Sequence, residues 1–320
     1  RQRYLDLVMN PESRRRFEIR RGLIREIRHF LEANDFLEVE TPILQNKPSG
    51  AMARPFITHH NSLDIDVYLR IAPETYLKRL IVGGYDRVFE FARCFRNEGI
   101  STAHLQEFLM LEYYAAYWDY EINMDFTERL LSAVFEKVLG TLRVEYMGQT
   151  IDFTPPWPRQ SMREVILEGT GIDIETYRTK EELLSRAASQ NISLAEIDVA
   201  ALGWGALVDA LYKKTCRPNI VSPLFLTAHP LELSPLARAN DANPGVTDRF
   251  QLVVAGMEII NAYSELVDPV DQRRRLLEQQ GLRDAGDDEA MPFDEDYVRC
   301  MEYGMPSISG MGMGIDRLVA

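Results

Sequence analysis

The sequence predicts an α+β fold, an antiparallel β-sheet flanked by helices, from three features. Residues 16–33 place apolar side chains at Phe17, Leu23, Ile24, Ile27, Phe30 and Leu31, the pattern of an amphipathic helix. Residues 86–96 and 107–117 are rich in Phe, Val, Leu and Tyr with period two, and about ten polar or small residues separate them, as in a two-stranded hairpin. Residues 309–318 alternate Gly310, Gly312 and Gly314 and then turn apolar at Asp316-Arg317, a strand running into a helix.

Taken in chain order, the amphipathic helix leads into Phe36-Leu37-Glu38-Val39-Glu40-Thr41-Pro42, a strand closed by proline. On the second hairpin strand Phe108, Met110, Glu112 and Tyr114 share one face. A carboxylate among such neighbours is costly unless a cation meets it. Glu112 therefore reads as half of a structural ion pair with Arg96, unless Arg96-Asn97-Glu98 belongs to a nucleotide-handling hairpin. Between residues 146 and 222 the pattern shifts, with Pro155, Pro156 and Pro158 opening helix-like segments at 162–168, 180–189 and 202–212. This stretch, about 155–221, reads as a helical insertion or as a small separate domain. Residues 258–265 put Asn261, Tyr263 and Glu265 on one strand face among apolar neighbours, which weakens a reading as a solvated edge. The alternating glycines strip one face of their strand, so a flat ring could lie on bare backbone, and Asp316-Arg317 at a helix start would draw phosphate. A bulged or close-packed strand has the same pattern.

With 320 residues, 46% of them hydrophobic, the chain can bury a large core, and one domain is favoured over two. A net charge of -13 and a pI near 5.0 argue against broad non-specific nucleic-acid binding, so such a contact would need a local basic patch or another domain. Cys94, Cys216 and Cys300 have no C-x-x-C spacing, which points away from zinc and disulfides and toward a reducing, cytoplasmic compartment. No apolar run approaches the ~18 residues of a membrane span, and no secretory signal or P-loop string is present.

Arg96-Asn97-Glu98 resembles the second signature of the class II aminoacyl-tRNA synthetases, and Gly312-Met313-Gly314-Ile315-Asp316-Arg317 resembles the third. The helix of residues 16–33 with the strand ending at Pro42 is similar to the first, the family's dimer-forming motif. Within the class the resemblance is to the lysyl enzymes over nearly the whole chain. It is carried by Arg1-Gln2-Arg3-Tyr4-Leu5-Asp6-Leu7, Ala53-Arg54-Pro55-Phe56-Ile57-Thr58-His59-His60, Leu69-Arg70-Ile71-Ala72-Pro73-Glu74, Ser234-Pro235-Leu236-Ala237-Arg238 and Ala285-Gly286-Asp287-Asp288-Glu289-Ala290-Met291. The resemblance implies the class II catalytic fold over residues 1–320 and a magnesium-dependent enzyme that activates L-lysine with ATP and transfers it to tRNA(Lys), as a homodimer joined through residues 16–42.

By the same resemblance Arg96 bridges the lysine carboxylate and the α-phosphate, Glu98 and His104 lie nearest the adenine and triphosphate, Phe108 stacks on the adenine, and Arg317 meets the γ-phosphate. His104 taken alone reads as an ordinary loop histidine; its place between the hairpin strands favours the nucleotide. Glu74 and the backbone at Gly50 match the α-amino site. Glu112, Tyr114 and Glu265 match the ε-ammonium site, with Asn261 near the carboxylate and Tyr263 lining the pocket. Glu258 is the implied magnesium ligand, and Gln251 stands where a second carboxylate is usual, a poorer ligand for a hard cation. The seven residues between them require a turn or a bulge if both are to face one ion. Leu105-Gln106 stands where the lysyl enzymes usually read Asn-Pro, the related aspartyl and asparaginyl enzymes often having His-Leu there, and Ile260 stands at a usually small position, where it either tightens the pocket or fills core.

Two other functions stay open: a synthetase-like ligase that modifies a lysine on elongation factor P, and a non-catalytic paralogue that binds lysine or a protein. The leader at residues 1–7 argues against the first, and intact Arg96, Glu98, Glu258 and Arg317 against the second. A start at Arg1 and a stop inside the apolar Leu318-Val319-Ala320 read as a fragment, the family's anticodon-binding β-barrel lying ahead of the leader and a short helix and strand following the third signature.

Overall fold

Period-two burial decides the architecture. In a computed structural model, which describes residues 2–99, 104–194, 202–286 and 288–320, the centre is an eight-stranded sheet. Arg1 of the leader, Asp287 of the acidic stretch and part of the hairpin loop lie outside the described residues. The strands are β1 (Leu37–Glu38), β5 (Arg87–Phe95), β6 (Glu107–Ala116), β9 (Arg159–Ser161), β10 (Leu224–Thr227), β11 (Arg249–Val254), β12 (Met257–Ser264) and β13 (Ile308–Gly314). Their spatial order is β1-β5-β6-β13-β12-β11-β10-β9. All neighbours run antiparallel except at the two edges, where β1 pairs parallel with β5 and β9 parallel with β10. A smaller sheet joins β2 (Leu44–Gln45), β4 (Ile65–Leu69) and β3 (Ile57–His60), and β7 (Arg143–Tyr146) pairs with β8 (Gln149–Asp152).

One face of the large sheet carries Phe89, Leu111, Tyr113, Ile260, Ala262, Met311 and Met313, all buried beneath α2 (Pro11–Glu32) and α4 (Tyr120–Leu139). Leu23, Ile27 and Leu31 of α2 pack there against Phe126, Leu130 and Leu131 of α4. Each such side chain contributes about 1.5–3 kcal/mol by leaving water, so Ile27→Ala would cost about 2–5 kcal/mol. The helix predicted from residue 16 begins at Pro11, because Pro11 at the first helical position starts it through a polar stretch with no apolar period. It is preceded by α1 (Arg3–Met9). The predicted strand 36–42 pairs with the sheet only at Leu37–Glu38.

The opposite face carries Met110, Glu112, Tyr114, Asn261, Tyr263 and the three glycines, and α3 (Glu74–Val82), α8 (Pro269–Asp284) and α9 (Glu295–Glu302) cover part of it through Leu77, Leu276, Tyr297 and Val298. Between residues 155 and 221 the helices are α5 (Met162–Thr170), α6 (Lys180–Ser189) and α7 (Trp204–Thr215), with their own apolar cluster around Ile166, Leu183 and Leu207. Ser161 with Glu164 and Thr179 with Glu182 form capping boxes that start α5 and α6. The same stretch supplies β9, which joins the large sheet.

Candidate active site

Every residue given a ligand-binding role from the sequence except Gln251 lines one cavity of about 560 Å³ on the face of the sheet opposite α2 and α4. β6 presents Phe108, Met110, Glu112 and Tyr114; β12 presents Asn261 and Tyr263; β13 runs between them. The register sets Gly310 beside Tyr114 and Tyr263, and Gly312 beside Glu112 and Asn261. The two strands therefore converge on a row without side chains.

That row is not uniformly bare. A Cβ at Gly310 would lie 2.5 Å from Tyr114 Cδ1 and 2.6 Å from Glu265 Oε1, so the protein's own tyrosine occupies the space a flat ring was expected to use. At Gly312 and Gly314 the nearest atoms stand 3.7 Å and 3.8 Å away, and the open strip is confined to these two. The arginine ahead of the hairpin loop departs from the ion-pair reading. Arg96 makes no ion pair with Glu112; its guanidinium lies 5.1 Å over the Phe108 ring and its Nε is buried without a hydrogen-bond partner. Arg96 and Phe108 both line the cavity, together with Glu98, half-buried, and His104, exposed.

The third-signature helix, α10 (Ile315–Val319), spans five residues. Asp316 at its start accepts from Leu109 N at 2.8 Å and pairs with Arg20 at 3.0 Å, so its carboxylate holds β6 and α2 to the helix. Arg317 donates to Glu258 O at 3.1 Å and lines the cavity.

The Gln251 to Glu258 spacing resolves into both devices. Ala255 (φ 49°) and Gly256 (φ 71°) form a two-residue turn, the positive-φ pair of a tight hairpin, which folds Glu258 back onto the face of Gln251. Gln251 Nε2 then donates to Glu258 Oε2 at 2.7 Å. A bulge between Leu252 and Val253 in the pairing shifts the later register, so that Glu258 and Asn261 share the cavity face despite their odd spacing. Ile260 faces the apolar core, fully buried, and leaves the pocket's width untouched.

At the other end the cavity is acidic and closed. Glu74, Glu112 and Glu265 are all buried. Gly50 (φ 86°) brings backbone against Glu74, where an added Cβ would stand 2.9 Å from Glu74 Cβ. Tyr263 donates its hydroxyl to Glu74 Oε1 at 2.6 Å, and Tyr114 to Glu112 Oε2 at 3.2 Å. Burial, reinforced by the neighbouring Glu74, pushes the Glu112 carboxyl well above its usual range, with Tyr114, Arg96 and Lys78 pulling the other way. Burial also raises Glu265, partly offset by Lys78.

Two cations of this site escaped the sequence reading. Lys78, fully buried, donates to Glu74 Oε1 at 2.5 Å and pairs closely with Glu265. The i,i+4 spacing of Glu74 and Lys78 on a helix was its only signal. Arg249 is the other: its Nε donates to Asn261 Oδ1 at 2.7 Å and its Nη1 to Ser234 Oγ at 2.8 Å, which fixes the amide at the cavity wall. Burial lowers its pKa below the usual guanidinium value.

The arrangement can hold a molecule with positive charge at one end and negative charge in the middle. A family model described as tRNA synthetases class II (D, K and N) matches residues 1–320. The chain is similar to the lysine–tRNA ligase of Pelotomaculum thermopropionicum, 51% identical over 319 residues that make up 100% of this chain and 63% of that relative. It is similar also to those of Nostoc punctiforme, 48% identical over 100% of this chain and 56% of the relative, and Carboxydothermus hydrogenoformans, 48% identical over 100% and 64%. The chain thus spans 56% to 64% of the length of these curated relatives.

Proposed function

The chain belongs to the class II tRNA synthetases (D, K and N), and from that membership we propose that it activates L-lysine with ATP to lysyl-adenylate and passes the lysyl group to the 3′ end of tRNA(Lys). The observation that carries this is one cavity with Glu74, Glu112 and Glu265 at its closed end and Arg96 and Arg317 toward its mouth. Two ammonium groups at opposite ends of lysine meet the carboxylates: the α-amino group at Glu74 and the Gly50 backbone, the ε-ammonium at Glu112, Tyr114 and Glu265. A neutral side chain would leave a buried charge unpaired, which is the strongest form of rejection a pocket has.

The lysine carboxylate attacks the α-phosphorus in line as the α–β phosphoanhydride bond breaks and pyrophosphate leaves, so no side-chain nucleophile is needed and catalysis lies in positioning and charge neutralisation. Arg96, with its free Nε and a planar fork of donors, bridges carboxylate and α-phosphate. Asn261, fixed by Arg249, orients the carboxylate, and Tyr263 walls the pocket. The adenine lies by Phe108 and the open strip at Gly312 and Gly314, with Glu98 and His104 beside it and Arg317 on the γ-phosphate. Magnesium supplies charge neutralisation at the phosphates when bound. Among the described residues no three His, Cys, Asp or Glu side chains converge as a metal site, so Glu258 would hold the ion together with phosphate oxygens, and Gln251 contributes an amide in place of a carboxylate.

The homodimer belongs to the same reading, through residues 16–42. Leu37, Ile43 and Leu44, at and just beyond the end of that segment, are exposed, and Ile57 on the small sheet is 61% exposed, an apolar surface suited to a second copy. A cytoplasmic location also belongs to it; among the described residues no helix is long and apolar enough to cross a membrane, and all three cysteines are free. We read the stretch of about 155–221 as an insertion within the one catalytic domain. Lysine-dependent ATP–pyrophosphate exchange tests the activity. Exchange that is absent with lysine sinks the ligase reading and leaves the non-catalytic one; exchange without tRNA charging in the full-length protein favours transfer to a different acceptor.

A further inference from the structure

Lys78 sits behind the acidic end rather than in it. It does not line the cavity, yet its ammonium touches the back of both Glu74 and Glu265. Three rings enclose the ammonium: Tyr263 at 5.6 Å from β12, Tyr114 at 5.8 Å from β6 and Tyr297 at 6.0 Å from α9. Glu112 on β6 completes the charged surroundings. Burying such a triad is a poor way to gain stability, because apolar replacements of similar volume are commonly as stable or more so. The charge count gives it a purpose. Three carboxylates face a ligand that, on the proposed reading, brings two ammonium groups, and Arg96 is matched by that ligand's own carboxylate.

We propose that Lys78 is a positioning residue that sets the charge of the pocket: from behind, its ammonium holds the Glu74 and Glu265 carboxylates in place and cancels one of three negative charges, leaving two for a ligand with two ammonium groups. The proposal rests on the lysine reading of the cavity. It makes Lys78 a determinant of specificity that never touches the substrate. Without the ammonium, Glu265 and Glu112 lose a neighbouring positive charge and hold their protons to higher pH. Lysine, which needs them ionised, then binds only in more alkaline solution. The carboxylates of Glu265 and Glu74 more than offset the cost of burial to the ammonium itself, so Lys78 stays charged well above the ordinary lysine range.

The test is calorimetric titration of L-lysine and, separately, of ATP into the wild-type chain and the Lys78→Gln and Lys78→Arg variants across pH. Lys78→Gln should weaken lysine binding at least about tenfold at neutral pH and move the midpoint of its pH dependence up by about one unit or more. Lys78→Arg should keep the wild-type midpoint, and ATP affinity should be the same in all three. A Lys78→Gln midpoint equal to that of the wild type overturns the proposal. A wild-type chain that binds ATP but not lysine overturns instead the functional reading it rests on. If Lys78→Gln fails to fold, Lys78→Met takes its place, and the Lys78 15Nζ resonance in the wild-type chain provides a measurement independent of either. It should remain that of an ammonium from about pH 5.5 to about pH 9 and shift on adding lysine; a neutral amine, or a signal indifferent to lysine, overturns the proposal.

Discussion

Gln251 donates an amide proton to Glu258 Oε2 at 2.7 Å, so a donor stands where a second anion would face the triphosphate. Gln251→Glu replaces that hydrogen bond with two carboxylates in contact, a repulsion that a divalent cation relieves. The magnesium concentration for half-maximal pyrophosphate exchange should fall severalfold, while lysine affinity, set by other residues, stays within about twofold. Equal midpoints in a magnesium titration would mean that position 251 is not a ligand.

The glycine row separates into two sites with opposite outcomes. Gly310→Ala forces a methyl against Tyr114 and Glu265 and should cost about 1–3 kcal/mol of stability together with most lysine binding. Gly312→Ala finds 3.7 Å of clearance and should leave the melting temperature and lysine affinity nearly unchanged while weakening ATP, if the adenine lies on that strip. Thermal unfolding with and without each ligand distinguishes the two; ATP affinity unaffected by Gly312→Ala would remove the adenine from β13.

Because burial raises Glu112 and Glu265, both bind protons more readily in the folded chain than in the unfolded one. In the ligand-free protein this costs stability as pH rises past the ordinary carboxylate range, and on the proposed function lysine would offset it by stabilising the ionised forms. The rise in melting temperature on adding lysine should therefore be larger at pH 8 than at pH 5.5. Glu265→Gln should flatten this dependence and weaken lysine far more than ATP. Equal losses for both ligands would place Glu265 outside the lysine site.

Sedimentation velocity of the chain should give a dimer, and Leu37→Asp combined with Leu44→Asp should give a monomer that keeps its far-UV spectrum, since both side chains are about half exposed. A dimer that survives both charges lies on another surface.

The strands and helices with a strong period were legible. Residues 86–96 and 107–117 differ by only a residue or so from β5 and β6, and the cavity residues Phe108, Glu112 and Tyr114 on β6 and Asn261 and Tyr263 on β12 follow from alternation, whereas Glu258 reaches that face only through a bulge. What pattern could not supply depended on partners distant in sequence. The parallel edges are invisible to period-two reading, and the start of α2 lay in Pro11-Glu12-Ser13-Arg14-Arg15, which carries no apolar signal. The ion pair between Arg96 and Glu112, the alternative to a ligand-binding arginine, is not formed; the guanidinium lies over the Phe108 ring, a contact that pattern does not announce. Lys78 carries no sequence signal beyond its i,i+4 spacing from Glu74, and only tertiary packing puts it between two carboxylates.

Among the described residues β13 comes last in sequence of the eight strands of the large sheet and yet stands fourth in space, between β6 and β12. Without residues 308–314 the strand order divides into two sets, β1-β5-β6 and β12-β11-β10-β9, each with an unpaired inner edge. The side chains that will flank the glycine row, Tyr114 on one half and Tyr263 on the other, sit on those open edges. Closing the sheet also draws Asp316 to Arg20 across 296 positions, a contact that no nascent fragment can make. Loss of the β13 pairing would therefore expose two strand edges able to pair with another chain, and the glycine strand is what closes both.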